Sequence, residues 1–305
     1  MANKRSPKTT PSAAPKKEIP VQIWVAVIGV IGTVLAATLP ALIKNIPPSP
    51  TQTPAQFLTG ERSNTPSMDT ATGCPIGMLP VSEGNFTMGP DPLVEQEETR
   101  ERTIYLDKFC IHEKEVSVRE YEAYLSSRNL TPPAQLHALP PDYPAVYITW
   151  DDAQDYCTDH GYKLPTEAQW EKAARGTDGR IFPWGNTPWN PKLANCCQVP
   201  PKGLRPVGEF PEGKSPYNVL DMAGNAAEWV ADWYIENWYL NVELRNPVGP
   251  PFNTDYSKVV RGGDYFSSES LVQVTARNGA FNQKQPIEDL NAIGFRCVYN
   301  PQPGQ

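Results

Sequence analysis

Apolar positions recur along the chain with two periods. Gly84-Asn-Phe-Thr-Met-Gly89 and Thr103-Ile-Tyr-Leu-Asp-Lys-Phe-Cys110 alternate apolar with polar residues, the period-two pattern of half-buried strands. After Ser117 the spacing turns helical. Val118, Tyr121, Ala123 and Leu125 supply apolar faces, the Ser117 hydroxyl can cap the first turn, and Glu120 stands three residues on. Residues 148–157 read the same way, with Thr149 as cap and acidic residues at the positive end of the helix dipole. A third helix begins at Thr166, where Gln169 completes a capping box. The pattern predicts three short helices set among strands and loops.

One stretch follows neither period. From Val21 to Ile43 the chain runs 23 residues without a charge. At about 1.5 Å per residue such a helix crosses a hydrocarbon core of roughly 30 Å. It also exceeds the roughly 7–15 apolar residues of a cleavable signal peptide, so it reads as a signal anchor. Lys4, Arg5, Lys8, Lys16 and Lys17 precede it and only Lys44 follows closely, which places the N-terminus in the cytoplasm and exports the body. The expected order is a basic cytoplasmic tail (1–20), a transmembrane helix (21–43), a Pro/Thr/Ser-rich linker (44–73), a folded domain (74–299) and a short tail (300–305). A single-pass membrane protein with an extracytoplasmic C-terminal domain fits a bacterial envelope.

Charge sharpens this division. Residues 1–50 carry six basic side chains against Glu18, a balance of +5, so the remainder holds −12 of the total −7. An acidic body argues against nucleic acid as a partner, because phosphate binding needs clustered Lys and Arg. With 34 Pro, 21 Gly and 8 Trp, much of the body should be loops pinned by aromatic anchors. Six cysteines in an exported domain favour pairing. Cys74 and Cys110 bracket the first hairpin region, and a bridge between them would clamp that edge. Cys196 and Cys197 are adjacent, which leaves a strained vicinal bridge, two thiols or a soft-metal site open. His112, His137 and His160 show no ligand spacing around them.

Seven short segments stand in a telling order: Gly84-Asn-Phe-Thr-Met-Gly89, Glu115-Val-Ser117, Leu164-Pro-Thr-Glu-Ala-Gln-Trp-Glu171, Phe182-Pro-Trp-Gly-Asn186, Gly224-Asn-Ala-Ala-Glu-Trp229, Arg261-Gly-Gly263 and Gly294-Phe-Arg296. Together they resemble the sulfatase-modifying factor family, the formylglycine-generating enzymes, over residues 74–299. The resemblance implies a compact α+β domain poor in regular secondary structure, of the complex type related to C-type lectins. It implies a disulfide between Cys157 and Cys297. It also implies a structural Ca²⁺ held by the Asp221 and Glu228 side chains and the Gly224 and Ala226 carbonyls, an oxygen-only set suited to a hard cation.

The same resemblance marks what is missing. In the family's enzymes two cysteines after Arg-Gly-Gly bind copper, and thiolates suit Cu(I) as soft donors. Ser267 and Val272 occupy those positions here, so copper is not expected. Asp264 stands where a serine is usual and Ala227 where most members have tryptophan. The candidate pocket is therefore Asp264, Ser267, Ser268, Val272, Arg277 and Ala227, with no catalytic residue assigned, since no histidine lies near Ser267 in sequence to act as its base. Three functions follow as expectations: a membrane-anchored binding or scaffold module, a divergent oxidoreductase acting on an exported protein, or a lectin-like display protein using residues 264–292. The partner would be an envelope protein or a small ligand.

Overall fold

The computed structural model describes residues 66–89, 101–198, 200–235, 244–251, 257–281 and 292–301. The membrane segment expected at 21–43, its basic tail and most of the linker lie outside these residues. Among the described residues no helix is long and apolar enough to cross a membrane.

Eleven strands and four α-helices are described: β1 (Met68–Asp69), β2 (Cys74–Pro75), β3 (Met78–Val81), β4 (Gly84–Met88), β5 (Arg102–Leu106), β6 (Phe109–His112), α1 (Val118–Ser127), α2 (Ala134–His137), α3 (Trp150–Asp159), α4 (Glu167–Arg175), β7 (Ala227–Trp233), β8 (Lys258–Arg261), β9 (Asn278–Phe281), β10 (Ile293–Phe295) and β11 (Val298–Tyr299). The largest sheet has the order β10-β7-β8-β9, parallel at β10/β7 and antiparallel elsewhere. A second sheet runs β11-β6-β3, and β4 pairs with β5 as a separate hairpin.

The three predicted caps are all formed. Ser117, Thr149 and Thr166 each accept a bond from the N3 amide, and the N3 side chains of Glu120, Asp152 and Gln169 reach back to the cap amide. These reciprocal bonds satisfy two otherwise unpaired donors per helix, which fixes where each helix starts. Two details differ from the sequence pattern. Helix α1 buries Tyr124 and leaves Ala123 exposed, because the i, i+3, i+7 phase from Val118 and Tyr121 passes through Tyr124 and Leu125. The strand expected over 103–110 breaks at Asp107 and Lys108, and its halves join different sheets. Asp107 is drawn out of the ladder by Arg245 and Asn246, which bind its carboxylate.

Two main cores hold the domain. One packs Tyr121, Tyr124 and Tyr156 of α1 and α3 against Trp229 and Phe295. The other packs Trp170 and Ala174 of α4 against Phe86, Ile104 and Val259. Cys157 in α3 bonds to Cys297 between β10 and β11 (S–S 1.98 Å), and Cys74 in β2 bonds to Cys110 in β6 (2.04 Å). Between α4 and β7, residues 176–226 form neither α-helix nor strand among those described, with one 3-10 turn at Pro211–Gly213. That long irregular stretch supplies two of the three loops that meet at the candidate site.

Candidate functional site

Backbone hydrogen bonds knit the three loops 194–198, 221–226 and 262–272. Gly224 N–H donates to Gly262 O (3.0 Å), Asn225 N–H to Asn195 O (2.8 Å), Tyr265 N–H to Asn225 O (3.1 Å) and Cys197 N–H to Ser267 O (2.8 Å). Glycine is required where the loops touch. A Cβ on Gly224 (φ +76°) would lie 2.3 Å from Asn195 O, and one on Gly263 (φ +65°) would lie 2.9 Å from Leu271 O.

Asp264 and Ser267 close a tight turn. Asp264 Oδ1 accepts from the amides of Phe266 and Ser267 and from Ser267 Oγ, each at 2.9 Å, while Asp264 N–H donates to Ser267 Oγ (3.0 Å). The Ser267 hydroxyl is thus occupied both as donor, to the Asp264 carboxylate, and as acceptor, from the Asp264 amide. Ser268 Oγ lies 3.0 Å from Ser270 Oγ on the exposed side of the turn. Val272 is fully buried in a small cluster with Phe182, Ala194, Cys196 and Ala223. Ala227 packs in the first core, and its amide donates to Ala292 O (2.9 Å). Arg277 belongs to a different group: Nε and Nη2 bond both oxygens of buried Glu167 at 2.6 and 3.0 Å. Of the six candidate pocket residues, Asp264, Ser267, Ser268 and Val272 fall on one loop. A groove of about 580 Å³ opens elsewhere, among Lys108, Gln154, Lys163, Gln169 and Asn246.

Beneath the loops lies a buried charge cluster. Glu228 is in β7 and not in the loop, and its carboxylate is fully buried. Its Oε1 accepts from Arg296 Nη2 (2.6 Å), and its Oε2 accepts from Arg296 Nε (2.7 Å) and Trp170 Nε1 (2.9 Å). Glu115, which opens one of the seven segments of the family resemblance but is not assigned to the site by the sequence, receives Asn225 Nδ2 (2.9 Å) and Ala226 N–H (3.1 Å). Asp221 accepts from Gly208 N–H. Of these three buried carboxylates Glu228 bonds Arg296 directly, and Glu115 and Asp221 lie within the electrostatic reach of its guanidinium. Desolvation, followed by the neighbouring Asp221 and Glu228 charges, pushes Glu115 well above the ordinary carboxylate range. Desolvation likewise raises Asp221 to about 6, against the opposing pull of the Gly208 amide and Arg296. The local segment Glu115-Val-Ser117 does not show that Glu115 belongs to the site; the bonds from Asn225 and Ala226 do.

The donor set fits a hard cation in kind. It is all oxygen, it carries excess negative charge, and Glu228 Oε1 retains an unused lone pair after its one hydrogen bond. Among the described residues no three acidic, histidine or cysteine side chains converge as a ligand set, so loop carbonyls would have to complete the shell. Copper does not fit at Ser267 and Val272, since one offers a committed hydroxyl and the other a buried hydrocarbon.

The sulfatase-modifying factor enzyme 1-like domain matches residues 64–301. The chain belongs to the sulfatase-modifying factor family. Its sequence is 30% identical over 290 residues to the formylglycine-generating enzyme of Bos taurus, covering 75% of this chain and 76% of that protein. It is 39% identical over 173 residues to the Bos taurus protein named inactive C-alpha-formylglycine-generating enzyme 2, about half of each chain. PvdO from Pseudomonas aeruginosa superposes with a TM-score of 0.61 at 24% identity over 73% of this chain and 94% of that one, which supports the fold alone.

Proposed function

We propose that this domain is a non-catalytic member of the sulfatase-modifying factor family, working as a membrane-anchored binding or scaffold module on the exported side. One observation carries the reading: at the two positions that the family resemblance assigns to copper-binding thiols, Ser267 has its hydroxyl bonded to Asp264 and Val272 is a fully buried hydrocarbon. Neither can ligate Cu(I) or exchange electrons with it. The named inactive relative lends support as a precedent for the fold without the chemistry. The ligand face would be the exposed rim of the 264–272 loop, where Phe266 is 47% exposed and its ring lies 4.1 Å from that of Tyr265. That face suits an envelope protein segment or a small ligand, in the manner of a lectin-like fold. Residues 21–43 would hold the domain at the membrane.

A structural Ca²⁺ belongs to the same proposal. Asp221, Glu228 Oε1 and the Gly224 and Ala226 carbonyls would hold it, and its charge would offset the surplus of buried carboxylates. The second reading is a divergent oxidoreductase. The thiols of Cys196 and Cys197, in the loop bonded to Ser267, favour it. Metal analysis of the purified full-length protein, paired with oxygen-uptake measurements on thiol substrates, separates the two. Calcium near one equivalent, no copper and no oxygen uptake is the expected result. Stoichiometric copper with oxygen uptake would overturn the non-catalytic reading.

A further inference from the structure

Cys196 and Cys197 are the free cysteines of the described chain, and their Sγ atoms lie 2.9 Å apart. That separation is well inside the contact distance of two non-bonded sulfur atoms, yet longer than the roughly 2.05 Å of a disulfide. The backbone forces the approach: Cys197 adopts φ +61° and Gln198 φ +57°, and Cys197 N–H is fixed to Ser267 O. Cys196 is buried beside Val272 and Phe182, while Cys197 is half-buried with a face toward solvent. The pair is thus a buried thiol behind an accessible one. That is the arrangement in which one sulfur meets an external reagent and the other resolves the product.

The geometry points to a redox modification site: Cys196 and Cys197 close reversibly to a vicinal disulfide by exchange with a low-molecular-weight disulfide, and the closed ring clamps the 264–272 loop through Cys197. The Cys197 thiolate attacks one sulfur of the oxidant RSSR, forming Cys197–S–S–R and releasing RS⁻. The Cys196 thiol loses its proton and attacks the Cys197 sulfur, releasing the second RS⁻. Two S–H bonds and the oxidant's S–S bond are lost, and one protein S–S bond is gained. Two electrons pass to the oxidant, and the two released thiolates take up the two protons. Burial raises both thiols above the ordinary range and Glu269 adds to this, so exchange should quicken as pH rises. The inference does not depend on whether the pocket is catalytic. The other four cysteines do not compete, since both bridges, Cys74–Cys110 and Cys157–Cys297, are fully buried.

The test is a redox titration of the full-length protein with reduced and oxidised glutathione. Thiols would be counted by alkylation and intact mass, and the bond located by peptide mapping. The expected result is two alkylatable thiols in the reduced protein and none after oxidation, a mass lower by two hydrogens, and one peptide carrying an internal Cys196–Cys197 bridge. Dithiothreitol restores both thiols. Cys196→Ser should stop at a glutathione adduct on Cys197, and Cys197→Ser should leave Cys196 unmodified. Hydrogen exchange at the Cys197 amide should slow in the oxidised form if the clamp is real. Thiols that stay alkylatable after oxidation, or a bridge to another cysteine or a second chain, would overturn the proposal. So would copper or zinc bound to the pair and shielding it from alkylation until chelation. If either variant fails to fold, the wild-type mass and alkylation results decide alone. An unchanged Cys197 amide in a protein that does form the bridge would overturn the clamp.

Discussion

At the scale of single residues, the decisive contacts are those of buried charges with specific partners. Glu228 and Arg296 are both fully buried, joined by two short bonds and further held by Trp170 Nε1 and Leu220 O. Such a pair contributes little net stability when whole, but removing one charge leaves the other desolvated without compensation. Glu228→Gln should therefore destabilise the domain by about 3–5 kcal/mol, measured by urea unfolding, and should abolish any calcium binding. Asp221 titrates the other way from an ordinary surface acid. Its folded carboxyl sits at about 6 against an unfolded value near 3.8, so between these pH values the folded state holds a proton that the unfolded chain releases. In calcium-free buffer this group makes stability fall as pH rises from about 4 to 6 and level off above, and Glu115, also raised, acts in the same direction. Thermal melts of wild type and Asp221→Asn across that window check it. The wild type's advantage should shrink with rising pH, and calcium added above pH 6 should recover it.

Among elements, the loops do what helices and strands do elsewhere. Gly263 sits at φ +65° with Leu271 O, Val272 Cγ1 and Ser267 Cβ all about 3 Å from where a Cβ would go. Gly263→Ala should cost about 1–3 kcal/mol of stability by differential scanning calorimetry, and should loosen the Asp264–Ser267 turn, seen as faster hydrogen exchange at the Ser267 amide. An alanine that leaves both readouts unchanged would show that the loop relaxes around the added methyl. Helix starts were legible in the sequence because a cap needs only a hydroxyl and a partner three residues on, both local. The break of β5 from β6 was not legible, because Asp107 is turned aside by Arg245 and Asn246, nearly 140 residues later.

For the molecule as a whole, one covalent tie spans most of the fold. The Cys157–Cys297 bridge joins residues 140 apart and links α3 to the end of the large sheet. In the chain-entropy account a closure of that length contributes about 5 kcal/mol. The double change Cys157→Ser with Cys297→Ser should lower the urea midpoint accordingly while leaving the Cys74–Cys110 bridge intact. The paired change is the cleaner test, since a single one leaves a buried thiol free to mispair.

The sequence by itself determined the family and the helix caps, because these depend on residue identity at fixed local spacing. It also set out an uncharged run long enough to span a bilayer. Tertiary structure alone decided that Glu115 joins Asp221 and Glu228 around Arg296, that Arg277 serves Glu167, and that the Cys196–Cys197 pair lies against Ser267 and Val272. Those groupings bring together side chains up to about 180 residues apart through packing and buried hydrogen bonds, and no local pattern encodes which distant partner a buried charge or a loop thiol will meet.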